Sequence, residues 1–404
     1  MALSDELTWR GFVNQTTLPD LTILDKQPVS FYFGVDPSSD SMTIGNLAAA
    51  MMVRHFIEAG HKAYLLVGEA TGMIGDPDGK KQERDLKSRE EISNNTAAIS
   101  RQYEQIFAGQ SFEVVNNFDW FKTINYIDFL RDIGKHVPLS SMLGRDFVQS
   151  RLGEDGTGIS YAEFSYSLIQ GYDFLHLYRK HGVTLQLCGA DQWGNSITGV
   201  DLIRRIEAGE AHVYSTPLVI NRSTGRKFGK SEEGAIWLDA AKTSVYAFYQ
   251  FWLNVDDEGV ADYAKIYTLL GRDDIAEMER SVAENPRERY AQRRLAMEVT
   301  SLVHGPERAD RAAKVTSVLF GQNEFASLTA DEIDDLSREI PVVELGSTVV
   351  GALVQSAVVA SNSEALRLIA GRSITLNGQK IDVDQVIDAP TLIKKGKNSF
   401  ILVR

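Results

Sequence analysis

The stretch FYFGVDPSSDSMTIGN, residues 31–46, decides the fold of the first half of the chain. Its apolar residues 31–33 predict a buried strand that ends at Gly34, and residues 44–59 have the apolar spacing of a helix. The apolar run AYLLV, residues 63–67, predicts the next strand. Strand, helix and strand in this order make one β-α-β unit.

A second unit of the same kind follows later in the chain. Residues 185–188 predict a strand, residues 195–208 a helix, and residues 216–220 a further extended segment. Alternation of strands and helices predicts an α/β fold with a doubly wound, Rossmann-like parallel sheet. Ligands of such a sheet bind at the carboxyl ends of its strands, where the polar motifs of this chain fall.

The second half of the chain changes character. Residues 244–319 have helical spacing and no alternating strand pattern, which predicts an α-helical domain. Close to the C-terminus, a capping box at residues 361–364 predicts a helix that ends at Gly371, and Asn377-Gly378 predicts a hairpin. The predicted parts are a catalytic domain at 1–222, a loop and α-helical domain at 223–322, a linker at 323–340, and a small α+β domain at 341–404.

Composition is that of a globular protein of several domains. The 404 residues are 43% hydrophobic and 24% charged, with no low-complexity tract. A net charge of -13 would argue against a nucleic-acid partner if the charge were spread evenly. It is not, because seven basic and five acidic residues follow residue 340, which gives that part a charge of +2.

Cysteine content and the N-terminus indicate the compartment. Cys188 is the single cysteine, which excludes an internal disulfide and a cysteine-rich zinc site. We expect no protein-bound metal. The N-terminus has no basic segment followed by an apolar one, and the sequence has no apolar run long enough to span a membrane. We therefore expect a cytoplasmic protein.

A basic motif, RKFGKS, occupies residues 226–231. Its two lysines, three positions apart in a loop that contains glycine, suit a polyphosphate whose charge shifts during a reaction. A solvated basic turn explains the motif equally well. A Walker A loop is excluded, because that loop needs four residues between its glycines and only three separate Gly225 from Gly229.

The loop of residues 34–46 joins the first strand to the first helix. Its serine and aspartate residues are suited to capping the helix, and a helix N-terminus at this position would receive a phosphate. An ordinary β-α loop with good capping residues is the alternative interpretation.

Together these motifs resemble those of a known family. The loop 34–46 resembles the His-Ile-Gly-His region of class I aminoacyl-tRNA synthetases, and residues 227–231 resemble their Lys-Met-Ser-Lys-Ser loop. The segments GEATGMIGDP at 68–77, NFDW at 117–120 and DQWGN at 191–195 resemble tyrosyl-tRNA synthetases of the bacterial type. The resemblance extends over nearly the whole chain in the family's order.

The resemblance implies ATP-dependent activation of tyrosine and its transfer to transfer RNA. Tyr32 and Asp173 would hold the phenol hydroxyl, and Asp76, Tyr166 and Gln170 the ammonium group, with Gln192 beside them. A helix would place Tyr166, Gln170 and Asp173 on one face, because they are spaced i, i+4 and i+7. A satisfied polar network in the core is the alternative reading of these three residues.

The resemblance also implies the residues for ATP and RNA. The expected ATP-binding and catalytic residues are Gly34, Asp36, Ser38, Thr43, Gly45, Asn46, Lys80, Arg84, Asp191, Lys227 and Lys230. Magnesium would arrive with ATP, bound mostly through the phosphates. Residues 223–322 would include the anticodon-side domain, and residues 341–404 resemble an RNA-binding domain found in ribosomal proteins. Its expected RNA contacts are Arg367, Arg372, Lys380, Lys394, Lys395 and Lys397. The family also implies a homodimer.

Some positions depart from the family. Thr43 and Asn46 replace the two motif histidines, and a threonine hydroxyl reaches less far as a donor. Phe33, Glu69, Cys188 and Ala190 also stand where we expect smaller or more polar residues in the family. Two alternatives therefore stay open. One is a paralogue with another substrate or inhibitor response, and the other is a catalytically weak RNA-binding homologue.

Overall fold

The computed structural model describes residues 2–77, 86–144, 146–152, 158–231, 234–321 and 323–404. These residues form two compact units, each with its own core. The first contains Met1–Lys242 and Asp256–Pro286, and the second Thr243–Val255 and Arg287–Arg404. The four-part division of the chain stays a prediction. Within the described ranges, each helix is too short or too polar to cross a bilayer.

A six-stranded sheet forms the centre of the first unit. Its strands are β1 (Gln15–Thr16), β2 (Ser30–Val35), β3 (Lys62–Val67), β4 (Phe112–Asn116), β5 (Leu185–Gly189) and β6 (His212–Thr216). Their order across the sheet is β1-β6-β5-β2-β3-β4, and every pair is parallel except β1 with β6. A short hairpin pairs β7 (Lys230–Ser231) with β8 (Gly234–Ala235).

The helices of the first unit are, in chain order, α1 (Leu3–Arg10), α2 (Ile23–Lys26), α3 (Ile44–Glu58), α4 (Glu69–Gly72), α5 (Arg89–Ile106), α6 (Phe118–Phe121), α7 (Tyr126–Asp132), α8 (Leu139–Leu143), α9 (Asp146–Leu152), α10 (Tyr161–His181), α11 (Trp193–Glu207), α13 (Val260–Tyr267) and α14 (Arg272–Glu284). The longest, α10, begins where the Ser160 hydroxyl accepts a hydrogen bond from the backbone of Glu163. It ends at Gly182, whose φ of 65° suits glycine.

The predicted α/β fold with a doubly wound parallel sheet is confirmed. Both predicted β-α-β units form, as β2-α3-β3 and β5-α11-β6. One boundary is wrong, since the extended segment expected at 216–220 is the strand His212–Thr216. The strand ends before Pro217, which has no N–H to donate to a neighbouring strand. The residues after it are apolar because Leu218 and Val219 line a cavity.

The strand order fixes where a ligand binds. From β2 the chain proceeds outward to β3 and β4, and then returns to the other side of β2 to form β5 and β6. The connections that leave β2 and β5 therefore run in opposite directions, which opens a crevice at their carboxyl ends.

The second unit combines a helical part with a five-stranded sheet. Its helices are α12 (Val245–Leu253), α15 (Tyr290–His304), α16 (Pro306–Leu319), α17 (Ala330–Ser337), α18 (Val349–Gln355) and α19 (Asn362–Ala370). Its strands are β9 (Val342–Val343), β10 (Ile374–Leu376), β11 (Gln379–Lys380), β12 (Thr391–Lys395) and β13 (Ser399–Val403), arranged β11-β10-β12-β13-β9.

Both local predictions for the C-terminal part are confirmed. The Ser361 hydroxyl accepts a hydrogen bond from the N–H of Glu364 at 3.3 Å and begins α19. Asn377 and Gly378 connect β10 to β11 with φ values of 47° and 87°. Positive φ at both positions is the geometry of the tight hairpin turn that this dipeptide favours.

Buried histidine makes the stability of the first unit sensitive to acid. Burial, with Arg10 and Arg54 nearby, lowers the pKa of His55 on α3 to about 3. An unfolded chain takes up a proton near pH 6.5, whereas the folded chain does not, so stability falls as the pH falls below about 6.5.

Between pH 7 and pH 5 the free energy of unfolding should decrease in both proteins. The decrease should be about 2 kcal/mol smaller in His55→Gln than in the wild-type protein, because glutamine takes up no proton. Urea titrations of both proteins at the two pH values measure this difference. The other buried histidines are present in both proteins and cancel. Equal losses in both proteins would contradict the assignment.

Candidate active site

A cavity of about 360 Å³ opens in the crevice between the ends of β2 and β5. The predicted residues that line it are Tyr32, Gly34, Asp36, Ser38, Thr43, Gly45, Asn46, Asp76, Tyr166, Gln170, Asp173, Asp191, Gln192 and Lys227. Lys80 and Arg84 lie outside the described residues, and of Lys230 only the backbone is described, as part of β7. The fold thus brings residues from distant segments of the sequence into one site.

Asp173 of α10 lies in the cavity wall with a side chain that is 1% exposed. Its carboxylate accepts hydrogen bonds from Asn117 Nδ2 at 3.1 Å and from Trp120 Nε1 at 2.9 Å. Burial raises the pKa of Asp173 well above its ordinary value, although these two donors oppose the rise. The two donors fix both carboxylate oxygens in place.

The hydroxyl group of Tyr32 is the second polar group in this part of the wall. It is buried and has no hydrogen-bond partner among the described residues. Its ring packs against Phe174, with centroids 5.2 Å apart. The side-chain oxygens of Gln170 and Gln186 are also buried, and they too have no hydrogen-bond partner among the described residues. Because burying such groups without partners is costly, the cavity favours a ligand that carries matching polar groups.

Asp36 connects the two sides of the cavity. Its carboxylate accepts hydrogen bonds from the hydroxyl of Tyr166 at 2.6 Å and from Thr71 Oγ1 at 2.7 Å. A Cβ at Gly68 would lie 2.2 Å from this carboxylate, so a side chain there would clash with Asp36. Only glycine at this position lets β2 and α4 approach so closely.

A third carboxylate, that of Asp76, is positioned by a short chain of amides. Gln192 donates to Asp76 Oδ2 at 2.6 Å, and Asn195 donates to Gln192 Oε1 at 3.2 Å. Gln192 belongs to the single turn Ala190–Gln192 that follows β5. Carboxylates of Asp36, Asp76 and Asp173 therefore give the cavity an acidic wall, which suits a cationic group.

The N-terminus of α3 forms another part of the wall. The backbone N–H and the hydroxyl of Thr43 both donate to Asn46 Oδ1, each at 3.0 Å. The hydroxyl proton of Thr43 is thus used within the helix cap, which changes the expectation that it would face a phosphate. These two bonds use the amide oxygen of Asn46 and not its amide nitrogen.

The loop with the basic motif lies against this helix start. Gly229 has a φ of 91°, and a Cβ there would lie 2.7 Å from Ile44 Cγ1. The N–H of Ile44 donates to the carbonyl of Ile236 at 3.1 Å, which ties α3 to the segment after the loop. The Lys227 ammonium lies 3.7 Å from Asp191 Oδ2 and is half-exposed.

Sequence reasoning missed several residues of the site. Asn117 and Trp120 belong to the NFDW segment that resembles the family, but the sequence predicted no role for either side chain. Thr71 gave no signal besides its place among glycines. Gln186 had one, because it is a polar residue in the otherwise apolar strand β5.

The predicted RNA contacts lie in the second unit and divide into two groups. Arg367, Arg372, Lys380 and Lys397 are exposed. Lys394 and Lys395 are half-buried and donate to the carbonyls of Leu319 and Val358, at 3.0 and 2.7 Å. These two lysines therefore contribute to packing within the unit. RNA contact by the other four residues stays a prediction.

Comparisons with known proteins show the family to which the chain belongs. The family model described as tRNA synthetases class I (W and Y) matches residues 24–321. The tyrosine–tRNA ligase of Levilactobacillus brevis is 43% identical, with 100% of this chain and 99% of the relative covered. The tyrosine–tRNA ligase of Bacillus caldotenax is 42% identical, with 100% of both covered.

A solved structure has the same fold. The C-terminally truncated mitochondrial tyrosyl-tRNA synthetase of Aspergillus nidulans matches with a TM-score of 0.71 and 29% identity, over 79% of this chain and 94% of that one. The resemblance seen in the motifs is confirmed by full-length relatives that are 42% and 43% identical. The chain belongs to the class I tRNA synthetases of the tryptophan and tyrosine type.

Proposed function

We propose that the chain is a tyrosine–tRNA ligase, which activates L-tyrosine with ATP and transfers it to the 3′ end of its transfer RNA. The observation that carries the proposal is the buried pair of Tyr32 and Asp173 in the cavity of a class I synthetase fold. The relatives above are named for this activity.

The phenol hydroxyl of tyrosine matches this pair. It donates to Asp173 and accepts from the Tyr32 hydroxyl, which otherwise has no partner among the described residues. Asn117 and Trp120 hold Asp173 in place for this contact. Phenylalanine would leave the buried Tyr32 hydroxyl without a partner and would give Asp173 no additional donor. Tyrosyl-tRNA synthetases are the standard example of the discrimination that results.

The ammonium group of the substrate goes to the acidic wall. Asp76 and the Gln170 side-chain oxygen accept its hydrogen bonds, and Tyr166 contributes through the hydroxyl that it shares with Asp36. Gln192 keeps Asp76 in position. This arrangement leaves the substrate carboxylate directed toward the nucleotide half of the cavity.

In the first step, a carboxylate oxygen of tyrosine attacks the α-phosphorus of ATP. The bond from that phosphorus to the bridging oxygen breaks, which yields tyrosyl-adenylate and diphosphate. No protein nucleophile takes part, so the rate depends on positioning and on donors that meet the growing negative charge. Lys227, Lys230, the N-terminus of α3 and Asn46 supply these donors, and Lys80 and Arg84 are proposed to join them.

In the second step, a hydroxyl of the terminal ribose of the transfer RNA attacks the tyrosyl carbonyl and AMP leaves. Magnesium enters with ATP as part of the substrate. Further parts of the proposal are a homodimer, a cytoplasmic location, an anticodon-side domain within 223–322, and RNA contacts from residues 341–404.

A first prediction of the proposed function concerns the phenol site. Asp173→Ala should lose tyrosine activation, because the phenol hydroxyl then has no acceptor and the donors Asn117 and Trp120 are left unpaired. The wild-type protein should prefer tyrosine to phenylalanine by at least about 100-fold. Amino-acid-dependent exchange of diphosphate into ATP measures both quantities. Equal exchange with the two amino acids in the wild type would refute the site.

The second prediction concerns the loop. Lys227→Ala should lower the rate constant of activation by about 100- to 1000-fold, because the charge it meets develops only in the transition state. Arg226→Ala is the matched control, since this exposed neighbour does not line the cavity and should leave the rate unchanged. A raised Michaelis constant for ATP at an unchanged rate constant would assign Lys227 to binding alone.

The third prediction concerns RNA. A truncation near residue 322 would expose a core that Leu319 shares with Phe400 and Leu402, so surface variants give a cleaner test. Neutralising Arg367, Arg372, Lys380 and Lys397 together with alanine should weaken transfer RNA binding. The slope of its salt dependence should fall by roughly 1 for each phosphate that the variant no longer neutralises.

The matched control replaces Asp382 and Asp388, which are exposed on the same unit, with asparagine. This variant should bind RNA at least as well as the wild type. Binding isotherms at several salt concentrations measure both proteins. Wild-type affinity and slope in the fourfold variant would exclude this surface from the RNA interface.

A further inference from the structure

An aromatic stack lies at the base of the loop that carries Lys227. The ring of Phe228, the next residue, lies nearly parallel to the ring of Tyr263 on α13, with centroids 4.2 Å apart and planes 20° apart. Phe228 is 6% exposed and Tyr263 is 1% exposed. Phe228 lines the cavity, whereas Tyr263 does not, so the stack connects the site to a helix outside it.

The Tyr263 ring also lies close to Gly259 at the start of α13. A Cβ at Gly259 would lie 2.5 Å from Cε2 of the Tyr263 ring, so the ring occupies space that a side chain at 259 would fill. Gly259 itself is held by its N–H, which donates to Asp256 Oδ1 at 2.6 Å. Glycine at 259 therefore leaves the space that the Tyr263 ring occupies beside Phe228.

The hydroxyl of Tyr263 and its neighbours hold the start of the loop. The backbone N–H of Arg222 donates to the Tyr263 hydroxyl at 3.3 Å, and the Arg222 guanidinium contacts Asp262 Oδ2 at 2.6 Å. Arg222 is largely exposed, so this ion pair contributes little. The buried stack is the stronger restraint.

Backbone hydrogen bonds transmit this restraint to the lysine. The N–H of Phe228 donates to the carbonyl of Val219 at 2.8 Å, and the N–H of Asn221 donates to the carbonyl of Arg226 at 2.8 Å. Lys227 lies between these two bonds. Its backbone position is therefore set by the residues that flank it.

We propose that Tyr263 is a positioning residue for the adenylation step: it holds Phe228 by ring stacking and thereby directs Lys227 into the cavity. This rests on the proposed function of Lys227. Tyr263 does not line the cavity, so it acts through the loop.

Kinetics provide the first half of the test. Tyr263→Leu removes the stack and should lower the rate constant of tyrosine activation by about 10-fold, with the Michaelis constant for tyrosine within about twofold of wild type. Tyr263→Phe keeps the stack and should restore the rate to within about twofold. Phe228→Leu combined with Tyr263→Leu should be no slower than either single variant, since both remove one interaction.

Limited trypsin digestion provides a readout that does not depend on activity. Arg226 and Lys227 are exposed cleavage sites in the loop, and mass spectrometry reports cuts there. Cleavage should be about 10-fold faster in Tyr263→Leu and near wild type in Tyr263→Phe. Tyr249→Leu, which removes a buried tyrosine from the other compact unit, is the control and should leave both the rate and the cleavage unchanged.

These readouts separate this proposal from the proposed function. If Tyr263→Leu is cleaved faster but the wild-type protein shows no tyrosine-dependent exchange, the stack supports the loop and the proposed function is overturned. Wild-type rate and cleavage in Tyr263→Leu would overturn the positioning role. A slower rate with unchanged cleavage would overturn it too, because Tyr263 would then act by another route.

Discussion

The carboxylate of Asp36 is the group on which the site depends. It follows β2 and accepts hydrogen bonds from Thr71 of α4 and from Tyr166 of α10. One group therefore joins the sheet, the short helix after β3 and the helix that carries Gln170 and Asp173. A Cβ at Gly68 would lie 2.2 Å from this carboxylate, so only glycine lets the start of α4 come so close to Asp36.

This arrangement is costly until a ligand binds. Asp36 raises the pKa of buried Asp173 through repulsion, in addition to the larger effect of burial. Hydroxyl and amide oxygens of Tyr32 and Gln170 are buried without partners among the described residues. A folded chain tolerates such groups only where the rest of the structure holds them, and here the extensive core of the sheet and its helices does so. A ligand with an ammonium and a phenol group relieves both costs.

Much of this could be predicted from the sequence, because local patterns carry it. Periodicity indicated both β-α-β units, and the spacing in α10 placed Tyr166, Gln170 and Asp173 on one face. The contacts between segments gave no such signal: Tyr166 meets Asp36 across 130 positions, and Trp120 meets Asp173 across 53. The error at residues 216–220 has a related cause, since hydrophobicity does not distinguish a strand in a sheet from a segment that lines a cavity.

Charge explains why the loop must be held. The protein carries a net charge of -13, and its cavity has an acidic wall, yet the proposed substrates ATP and transfer RNA are polyanions. Such a body repels them overall, so attraction has to come from a few cations at defined places. Lys227 lies 3.7 Å from Asp191, an acidic neighbour that would keep a freely moving lysine away from the phosphates. Asp191 and a phosphate compete for the Lys227 ammonium. When the base of the loop is held, the lysine backbone stays beside the cavity, and only the side chain has to turn from Asp191 to a phosphate.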